Sequence, residues 1–508
     1  MAIFNLGITI VGGGLGPLLV GMPNDFLVTQ FGNEALRWAG WSSPGLSGIT
    51  RSSGWFLRQQ CHGQRSLREP EPGFSHSLMT TPHATSPTRP GYTLTLLTLM
   101  SALAFMDRQI LSVLIQPVKL EFGLSDLQIG LVTGLGFAMT FAMLGVPLGR
   151  LADRRERRSL IAVCRGVGGL LAAAGGASVG FWSLMFTRGG GALSDAGGTP
   201  ASMSMLADLY PPEQRSRAMS VLGTGGSLGA LMALVLGSWL AEHYGWRVTV
   251  VVAGSGSVLL ALALQWSVRE PLRVVTAHAA RAATDARPPG AVAAIWSEAV
   301  TRWLIVGAAF ALLSAYSFGA WNIALMVRHH GLSLQQAGWI SGTAALTSLI
   351  GGLTSGLLTD RLARRDLRWQ IGVPVVGLGL ALLCGLAYLL VPAGALLPAT
   401  VLMVAFSFFL PWWVAPTYAA ISLVVPSQRR ATANAMVLLA GAIVGNGLGP
   451  ILTGWLSDVL NASLGGDGLR YALVGMVSML LPSMLAFGRA LRAYPAAHQS
   501  ALQPVAST

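Results

Sequence analysis

The sequence predicts an all-α integral membrane protein in which twelve transmembrane helices form two pseudo-symmetric six-helix bundles. Of its 508 residues, 53% are hydrophobic and 10% are charged, and the mean hydropathy is +0.59. A soluble chain of this length needs far more polar surface than these residues supply. Apolar stretches of about 20 residues, long enough to cross a hydrocarbon core about 30 Å thick, recur along most of the chain. A loop motif that occurs twice predicts the two bundles.

We number the apolar stretches spans 1 to 12 in chain order. They cover residues 92–117, 126–148, 159–178, 181–208, 217–241, 247–268, 302–327, 335–358, 369–392, 396–424, 430–456 and 470–491. Three cysteines, Cys61, Cys164 and Cys384, are scattered along the chain. The sequence therefore predicts no disulfide framework and no metal site.

The net charge of +13 is arranged as an orientation signal rather than as a nucleic-acid-binding surface. Arginines gather in the loops that follow the even-numbered spans, whereas the opposite loops carry few basic residues. By the positive-inside rule, the arginine-rich loops and both ends of the bundle face the cytoplasm. We therefore expect a multi-pass protein of the cytoplasmic (inner) membrane that binds no nucleic acid.

The motif G-x-x-x-D-R-x-x-R-R occurs once in each half of the chain. It reads GRLADRRERR at 149–158, after span 2, and GLLTDRLARR at 356–365, after span 8. The same loop in the same place of two six-span sets indicates a duplicated bundle.

The repeat divides the chain into an N-terminal half at 91–270 and a C-terminal half at 301–492. Residues 271–300 between them are polar and are expected to form a cytoplasmic linker. Residues 493–508 are expected to form a tail.

Several motifs resemble the major facilitator superfamily, over about residues 91–492. They are the two repeated loops, LADLYPPEQRSRA at 206–218, GWR at 245–247 and REP at 269–271. The resemblance implies a transporter with two six-helix halves around a central cavity that opens alternately to either side of the membrane. It also implies that the repeated loops act as a cytoplasmic gate.

Two longer stretches resemble the Spinster-like branch of that superfamily and its bacterial relatives. They are AFMDRQILSVLIQPVKLEFGLSDLQIGLV at 104–132 and LMFTRGGGALSDAGGTPASMSMLADLYPPEQRSR at 184–217. One position departs from the branch. Where those relatives usually have Glu-Ala in span 4, this chain has Asp195 followed by Ala196, which keeps the carboxylate and shortens its reach.

Four charged residues inside spans 1 and 4 are the candidate substrate and proton-coupling site. A charge at the bilayer centre costs at least about 2.5 kcal/mol, so such residues are expected to face a cavity. Arg188 and Asp195 are seven residues apart, about 10 Å along a helix, which is too far for a short mutual hydrogen bond. Asp107 and Arg108 in span 1 are the expected partners.

This cluster suits a proton-coupled carrier. A buried carboxylate beside an arginine can exchange a proton as its surroundings change, so Asp195 or Asp107 is the expected proton site. Arg188 is the expected donor to an anionic substrate, because its planar guanidinium matches a carboxylate or phosphate. The alternative is a permanent buried ion pair that only fixes helix packing.

Five residues of the second half are candidate cavity-lining groups: Tyr316, Trp321, Asn322, Trp412 and Trp413. They would form an aromatic wall for an amphipathic substrate, and the alternative is an interfacial belt or lipid-facing bulk. Pro411 and Pro416 predict that span 10 is broken or kinked.

The repeated loops supply the candidate cytoplasmic gate. Its residues are Gly149, Asp153, Arg154, Arg158, Gly356, Asp360, Arg361 and Arg365. The two aspartates are expected to cap or pair with a neighbouring helix in one conformation only. The alternative is that these loops only anchor the bundle.

The predicted function is secondary active transport of a small organic or lipid-like anion by alternating access, coupled to protons. The chain is expected to act as a monomer among membrane lipids, without a cofactor. No HExxH, GxSxG or Walker-type motif indicates an enzyme. A membrane receptor or sensor that keeps the transporter fold without transporting is the alternative. The identity of the substrate, the direction of transport and the coupling ion stay open.

Residues 1–90 are expected to lie outside the bundle. VGGGLGPLLVGMPND at 11–25 parallels VGNGLGPILTGWLSD at 444–458, so residues 1–40 resemble a fragment of spans 11 and 12 of a related transporter. Residues 41–90 have a composition typical of disorder. The interpretation is a remnant of a neighbouring gene or a misassigned start over 1–78, with Met79 as the true beginning.

Overall fold

The structure is a computed structural model that describes residues 90–271, 291–464 and 466–502. The predictions for the N-terminal extension, for most of the linker and for the end of the tail lie outside these residues. Every secondary-structure element that the structure describes is a helix.

We number the transmembrane helices α1 to α12. Those of the first half are α1 (Pro90–Phe122), α2 (Asp126–Gly130, Leu131–Leu135 and Gly136–Arg154), α3 (Arg157–Ala174), α4 (Phe181–Leu209), α5 (Pro212–Met232, Ala233–Gly237 and the start of Ser238–Ser267) and α6 (the rest of Ser238–Ser267). The segment shared by α5 and α6 changes direction at Gly245, whose φ is 81°. Glycine reaches this value without a steric penalty.

The second half begins with a short helix, Ala291–Ser297. Its transmembrane helices are α7 (Ala299–His330), α8 (Leu334–Ala363), α9 (Trp369–Leu390), α10 (Leu396–Phe409, Leu410–Trp413 and Val414–Val424), α11 (Ser427–Ala440, Gly441–Leu448 and Gly449–Leu464) and α12 (Gly468–Ser478 and Leu480–Leu502). The prediction that span 10 is interrupted is confirmed, since Leu410–Trp413 is a 3₁₀ segment within α10.

Ten stretches of the described helices are long and apolar enough to cross a membrane. One of them, Gln214–Ser267, contains both α5 and α6, and Phe181–Leu209 adds α4. Counting both gives twelve transmembrane helices in the described part of the chain. The predicted all-α membrane fold is therefore confirmed.

A second repeat fixes where α2 and α8 begin. It reads GLSDLQIG at 123–130 and GLSLQQAG at 331–338. In each copy the serine accepts a hydrogen bond from the backbone N–H of the glutamine, whose side chain accepts one from the serine N–H. In each copy the first glycine has a positive φ, 61° at Gly123 and 67° at Gly331. In both halves the left-handed glycine thus follows the end of one helix and the capping box starts the next.

An arginine at the start of the last helix of each half supports the same duplication. Arg247 at the start of α6 donates to the carbonyl oxygens of Gly176 and Ser178, at 2.7 and 2.9 Å. Arg470 at the start of α12 donates to the carbonyl oxygen of Leu389, at 2.5 Å. In both halves the arginine satisfies backbone carbonyls at or just after the C-terminal end of the third helix, which would otherwise lack partners.

Two of the family-like motifs meet in one buried ion-pair network. We call the end of the bundle that carries the arginine-rich loops the basic end. There Arg157, 1% exposed, lies with Nε 2.8 Å from Glu270 Oε1 and Nη1 2.6 Å from Asp208 Oδ2. Asp208 belongs to LADLYPPEQRSRA and Glu270 to REP. The network ties α3 to the ends of α4 and α6.

Arg157→Ala is expected to lower the thermal unfolding temperature of the purified protein markedly. Removing one partner of a buried ion pair costs on the order of 3 kcal/mol, because the remaining charges lose their compensation. The measurement is the melting temperature in detergent. Arg361→Ala, which removes an exposed arginine at the same end, is the control and should change it little. Equal melting temperatures for both variants would contradict the assignment.

Candidate functional site

A cavity of about 230 Å³ lies between the two halves, bounded by α1 and α2 on one side and by α7 and α11 on the other. Apolar side chains, among them Phe105, Leu111 and Pro450, cover part of its wall. The polar lining residues are Arg108, Gln109, Ser112, Thr133, Tyr316 and Asn446. Arg108 is the charged one among them. The cavity thus offers one cationic group and several hydrogen-bonding groups within an otherwise apolar wall.

Asp195 of α4 lies between two arginines. Its Oδ2 is 3.4 Å from Arg108 Nη1, and its Oδ1 is 3.6 Å from Arg165 Nη1. The three side chains are 3 to 8% exposed. Arg108 also lines the cavity. It therefore stands between Asp195 and any molecule bound there. Arg165 of α3 was not among the residues that the sequence pattern indicated.

Arg188, the expected donor to an anionic substrate, is bonded to the backbone of α1 in this conformation. Its Nη1 donates to the backbone carbonyl of Asp107 at 2.9 Å, and its Nη2 donates to that of Arg108 at 3.1 Å. Arg188 is 8% exposed. In this conformation its guanidinium therefore joins α4 to the backbone of α1, and Arg108 is the arginine on the wall of the large cavity.

Asp107 and Arg188 line a second, narrower void of about 20 Å³ within the first half, together with Trp246 of α6. A void of this size holds about one water molecule. The four predicted charges therefore lie close together but in different surroundings: Arg108 lines the large cavity, Asp107 and Arg188 line the small void, and Asp195 lines neither.

Two glycines of α4 make room for these charges. A Cβ at Gly191 would lie 2.6 Å from Asp107 Oδ2, and one at Gly198 would lie 2.5 Å from Arg165 Nε. Both distances are shorter than real Cβ atoms show. The glycines on either side of Asp195 thus let α1 and α3 place charged side chains directly against the α4 backbone.

The predicted aromatic wall has a different position in the structure. Tyr316 lines the cavity, whereas the other four residues lie inside the second half, away from the cavity lining. Trp321 is fully buried and donates to the carbonyl oxygen of Pro450 at 3.1 Å. Trp412 and Trp413 are 7% and 2% exposed. Buried indole rings with this packing supply core contacts rather than a substrate-facing surface.

Asn322 belongs to a polar network within the second half. Its Oδ1 accepts a hydrogen bond from the Tyr388 hydroxyl at 2.8 Å, and its Nδ2 lies 3.4 Å from Ser341 Oγ. All three residues are buried. The side chain is therefore used to connect α7 with α8 and α9, which the sequence does not reveal.

The predicted gate residues lie at the basic end. Asp360, Arg361 and Arg365 are exposed. A Cβ at Gly149 or Gly356 would meet no described atom within 4 Å. Of the described gate residues, these five are therefore exposed or have open space beside the backbone.

The first copy of the gate motif is partly described. Arg158 donates Nη1 to the carbonyl oxygen of Val268 at 3.2 Å and pairs with Glu156 at 2.7 Å. Asp153 and Arg154 are in α2, but their side chains lie outside the described residues.

We call the end of the bundle away from the arginine-rich loops the opposite end. There a buried carboxylate connects the two halves. Asp126, fully buried at the start of α2, accepts hydrogen bonds from Arg328 Nη1 and Nη2 at 2.8 and 3.0 Å. Lys119 Nζ lies 2.5 Å and Ser457 Oγ 2.6 Å from its oxygens. Arg328 and Ser457 belong to the second half, so the cluster connects the halves.

Two further carboxylates cap helices across the same interface. Asp458 accepts hydrogen bonds from the backbone N–H groups of Asp126 and Leu127, at 2.9 and 2.7 Å. Glu242 accepts one from the N–H of Leu334 at 2.9 Å. Each half thus caps the positive N-terminal end of a helix in the other half. The hydrogen bonds and ion pairs that the structure describes between the halves lie at this end.

The sequence pattern of the Major Facilitator Superfamily matches residues 97–436 and 304–505. An MFS-type efflux pump of Mycolicibacterium smegmatis is 35% identical over 392 residues, which cover 76% of this chain and 88% of that protein. A probable galactarate/D-glucarate transporter of Bacillus subtilis is 25% identical over 322 residues, which cover 57% of this chain and 69% of that protein.

A solved structure shares the fold and the branch. It is that of a bacterial homolog of the human lysosomal transporter Spinster, in an inward-facing and occupied conformation, with a TM-score of 0.70 and 26% identity. The match covers 81% of this chain and 99% of that one. The predicted family and its Spinster-like resemblance are confirmed. This chain belongs to the Major Facilitator Superfamily.

Proposed function

We propose that the protein is a secondary active transporter that moves a small organic anion across the membrane by alternating access. The observation that carries this proposal is the position of Arg108. It lines the cavity between the halves and is paired with Asp195 of α4. A cation that faces a bound solute on one side and a titratable carboxylate on the other can exchange one partner for the other.

An anionic substrate fits the lining of the cavity. A guanidinium gives a carboxylate or phosphate two parallel hydrogen bonds, and Ser112 and Tyr316 add further polar contacts. Phe105 and Leu111 offer apolar surface to the rest of the molecule. The name of the Bacillus subtilis relative, a probable galactarate/D-glucarate transporter, supports an organic acid. A lipid-like anion is the other candidate substrate, because it too combines an anionic group with an apolar body.

Proton coupling is the proposed energy source. When Asp195 is ionised it pairs with Arg108, and when it is protonated it no longer compensates that charge. Arg108 then favours a bound anion, so proton and anion occupy the carrier together. Asp107, which lies against Gly191 in the narrower void, is the second candidate proton site.

Alternating access is supported by the unequal ends of the bundle. The described hydrogen bonds and ion pairs between the halves lie at the opposite end, whereas Asp360 and Arg361 at the basic end are exposed. If the arginine-rich loops face the cytoplasm, this conformation is open to the inside. We propose that the repeated loops close the basic end in the other conformation, that the protein resides in the inner membrane and that it acts as a monomer among lipids.

The test is counterflow in proteoliposomes loaded with benzoate, cis,cis-muconate or D-galactarate. The wild-type protein should exchange at least one of these anions, and an inwardly directed proton gradient should drive its net uptake. Asp195→Asn should keep counterflow and lose the stimulation by the gradient, because the proton site is gone.

Each other outcome of this experiment has a distinct meaning. Stimulation by the gradient in Asp195→Asn equal to that of the wild type would remove Asp195 as the proton site. Saturable binding of an anion without any counterflow would overturn transport and favour a receptor. Neither binding nor counterflow with any of the three anions would overturn the anionic substrate.

A further inference from the structure

Arg165 is a buried arginine in α3 that the proposed cycle does not use. It is 2% exposed. Its Nη1 lies 3.6 Å from Asp195 Oδ1 and 3.4 Å from Ser194 Oγ, and its Nη2 lies 3.4 Å from Thr199 Oγ1. These three partners belong to α4, and Gly198 leaves the space that the Nε of Arg165 occupies. The Arg165 side chain therefore packs against α4 and is not among the residues that line the cavity.

Arg165 gives the cluster of buried charges around Asp195 an excess of positive charge. Arg108, Arg165 and Arg188 supply three positive charges, and Asp107 and Asp195 supply two negative ones. The net charge of these five side chains is thus +1 when both carboxylates are ionised. Arginine does not give up its proton in proteins, so the sum stays positive in every protonation state. Without Arg165 the sum would be zero when both carboxylates are ionised.

A buried net charge is costly unless another charge compensates it. Asp195 is shared by two arginines, each about 3.5 Å away, so it compensates Arg108 only in part. Arg108 is the member of the cluster on the wall of the large cavity. The positive excess of the five side chains therefore lies beside that cavity.

We propose, on the basis of the proposed function, that Arg165 is a positioning residue that makes the cavity select an organic monoanion over a neutral molecule of the same shape. It acts by drawing Asp195 partly away from Arg108 and does not contact the substrate. A monoanion with an apolar body matches the single excess charge and the side chains of Phe105 and Leu111.

The test compares the binding of benzoate with that of its neutral analogue benzamide to purified protein, by isothermal titration calorimetry. Arg165→Gln should weaken benzoate binding roughly 10-fold or more, since one unit of buried charge is lost. Benzamide binding should not change. The double variant Arg165→Gln with Asp195→Asn restores the net charge to +1 and should recover benzoate binding to within about threefold of wild type.

Thr199→Val is the matched control, because it removes a hydrogen-bonding contact of Arg165 without changing the charge. It should leave benzoate affinity within about threefold of wild type. If Arg165 only holds α3 against α4, the control will behave like Arg165→Gln and the double variant will not recover binding. Either result would overturn the inference.

The inference and the proposed function fail in different ways. Wild-type protein that binds benzoate as weakly as benzamide, and binds neither cis,cis-muconate nor D-galactarate, would overturn both. Wild-type protein that prefers benzoate while Arg165→Gln binds it equally well would overturn only the role of Arg165.

Discussion

Arg108→Gln is expected to weaken the binding of organic anions to the purified protein by roughly 100-fold. Arg108 is the charged side chain among the described lining residues of the central cavity. Glutamine keeps a polar group on a shorter side chain and loses the charge and the planar pair of donors that match a carboxylate. The measurement is the dissociation constant for benzoate by isothermal titration calorimetry.

Arg361→Gln is the control for this prediction, because it removes an exposed arginine at the basic end. Its affinity should equal that of the wild type. Arg188→Gln should instead lower the melting temperature, since its guanidinium is bonded to backbone carbonyls of α1. Unchanged benzoate affinity in Arg108→Gln would show that the cavity beside this residue is not the anion site.

Asp126→Ala is expected to open the opposite end of the bundle. The buried carboxylate is bonded to Arg328 of the second half and to Lys119. Removing it leaves two cations facing each other without compensation, which costs about 3 to 5 kcal/mol. The ratio of closed to open molecules at this end should therefore fall by at least about 100-fold.

The measurement is the distance between spin labels on Val179→Cys and Leu397→Cys, in a background without the native cysteines. Both positions are exposed, at 86% and 77%, and lie at the opposite end in different halves. Asp126→Ala should shift the distribution to longer distances. Asp467→Ala is the control, because its ion pairs, to Arg470 and His329, stay within the second half. The same distribution in Asp126→Ala and wild type would contradict the role of Asp126 in holding the opposite end closed.

The sequence predicted the twelve helices because their length and apolarity are properties of the chain itself. It also predicted four of the buried charges, since Asp107, Arg108, Arg188 and Asp195 interrupt apolar stretches. It did not predict their directions. Whether an arginine in a helix points to a cavity or to a neighbouring backbone depends on how the helices are rotated, and spacing along one span does not fix that rotation.

Other features escaped prediction for related reasons. Arg165 stands alone in span 3 without an acid nearby in sequence, and its partner Asp195 is 30 residues away. The opposite-end cluster joins Asp126 to Ser457, which only the packing of the halves brings together. The GLSDLQIG and GLSLQQAG repeat was a readable signal, because a serine three residues before a glutamine is a capping box.

The central claim is that an organic anion binds beside Arg108 in the cavity between the halves. The most direct measurement is a crystal structure with 4-bromobenzoate, in which anomalous scattering locates the bromine. The account predicts a bromine signal between α1 and α7, with the carboxylate in hydrogen-bonding distance of the Arg108 guanidinium. A signal confined to the arginine-rich loops, or a carboxylate turned away from Arg108 toward the apolar wall, would contradict it.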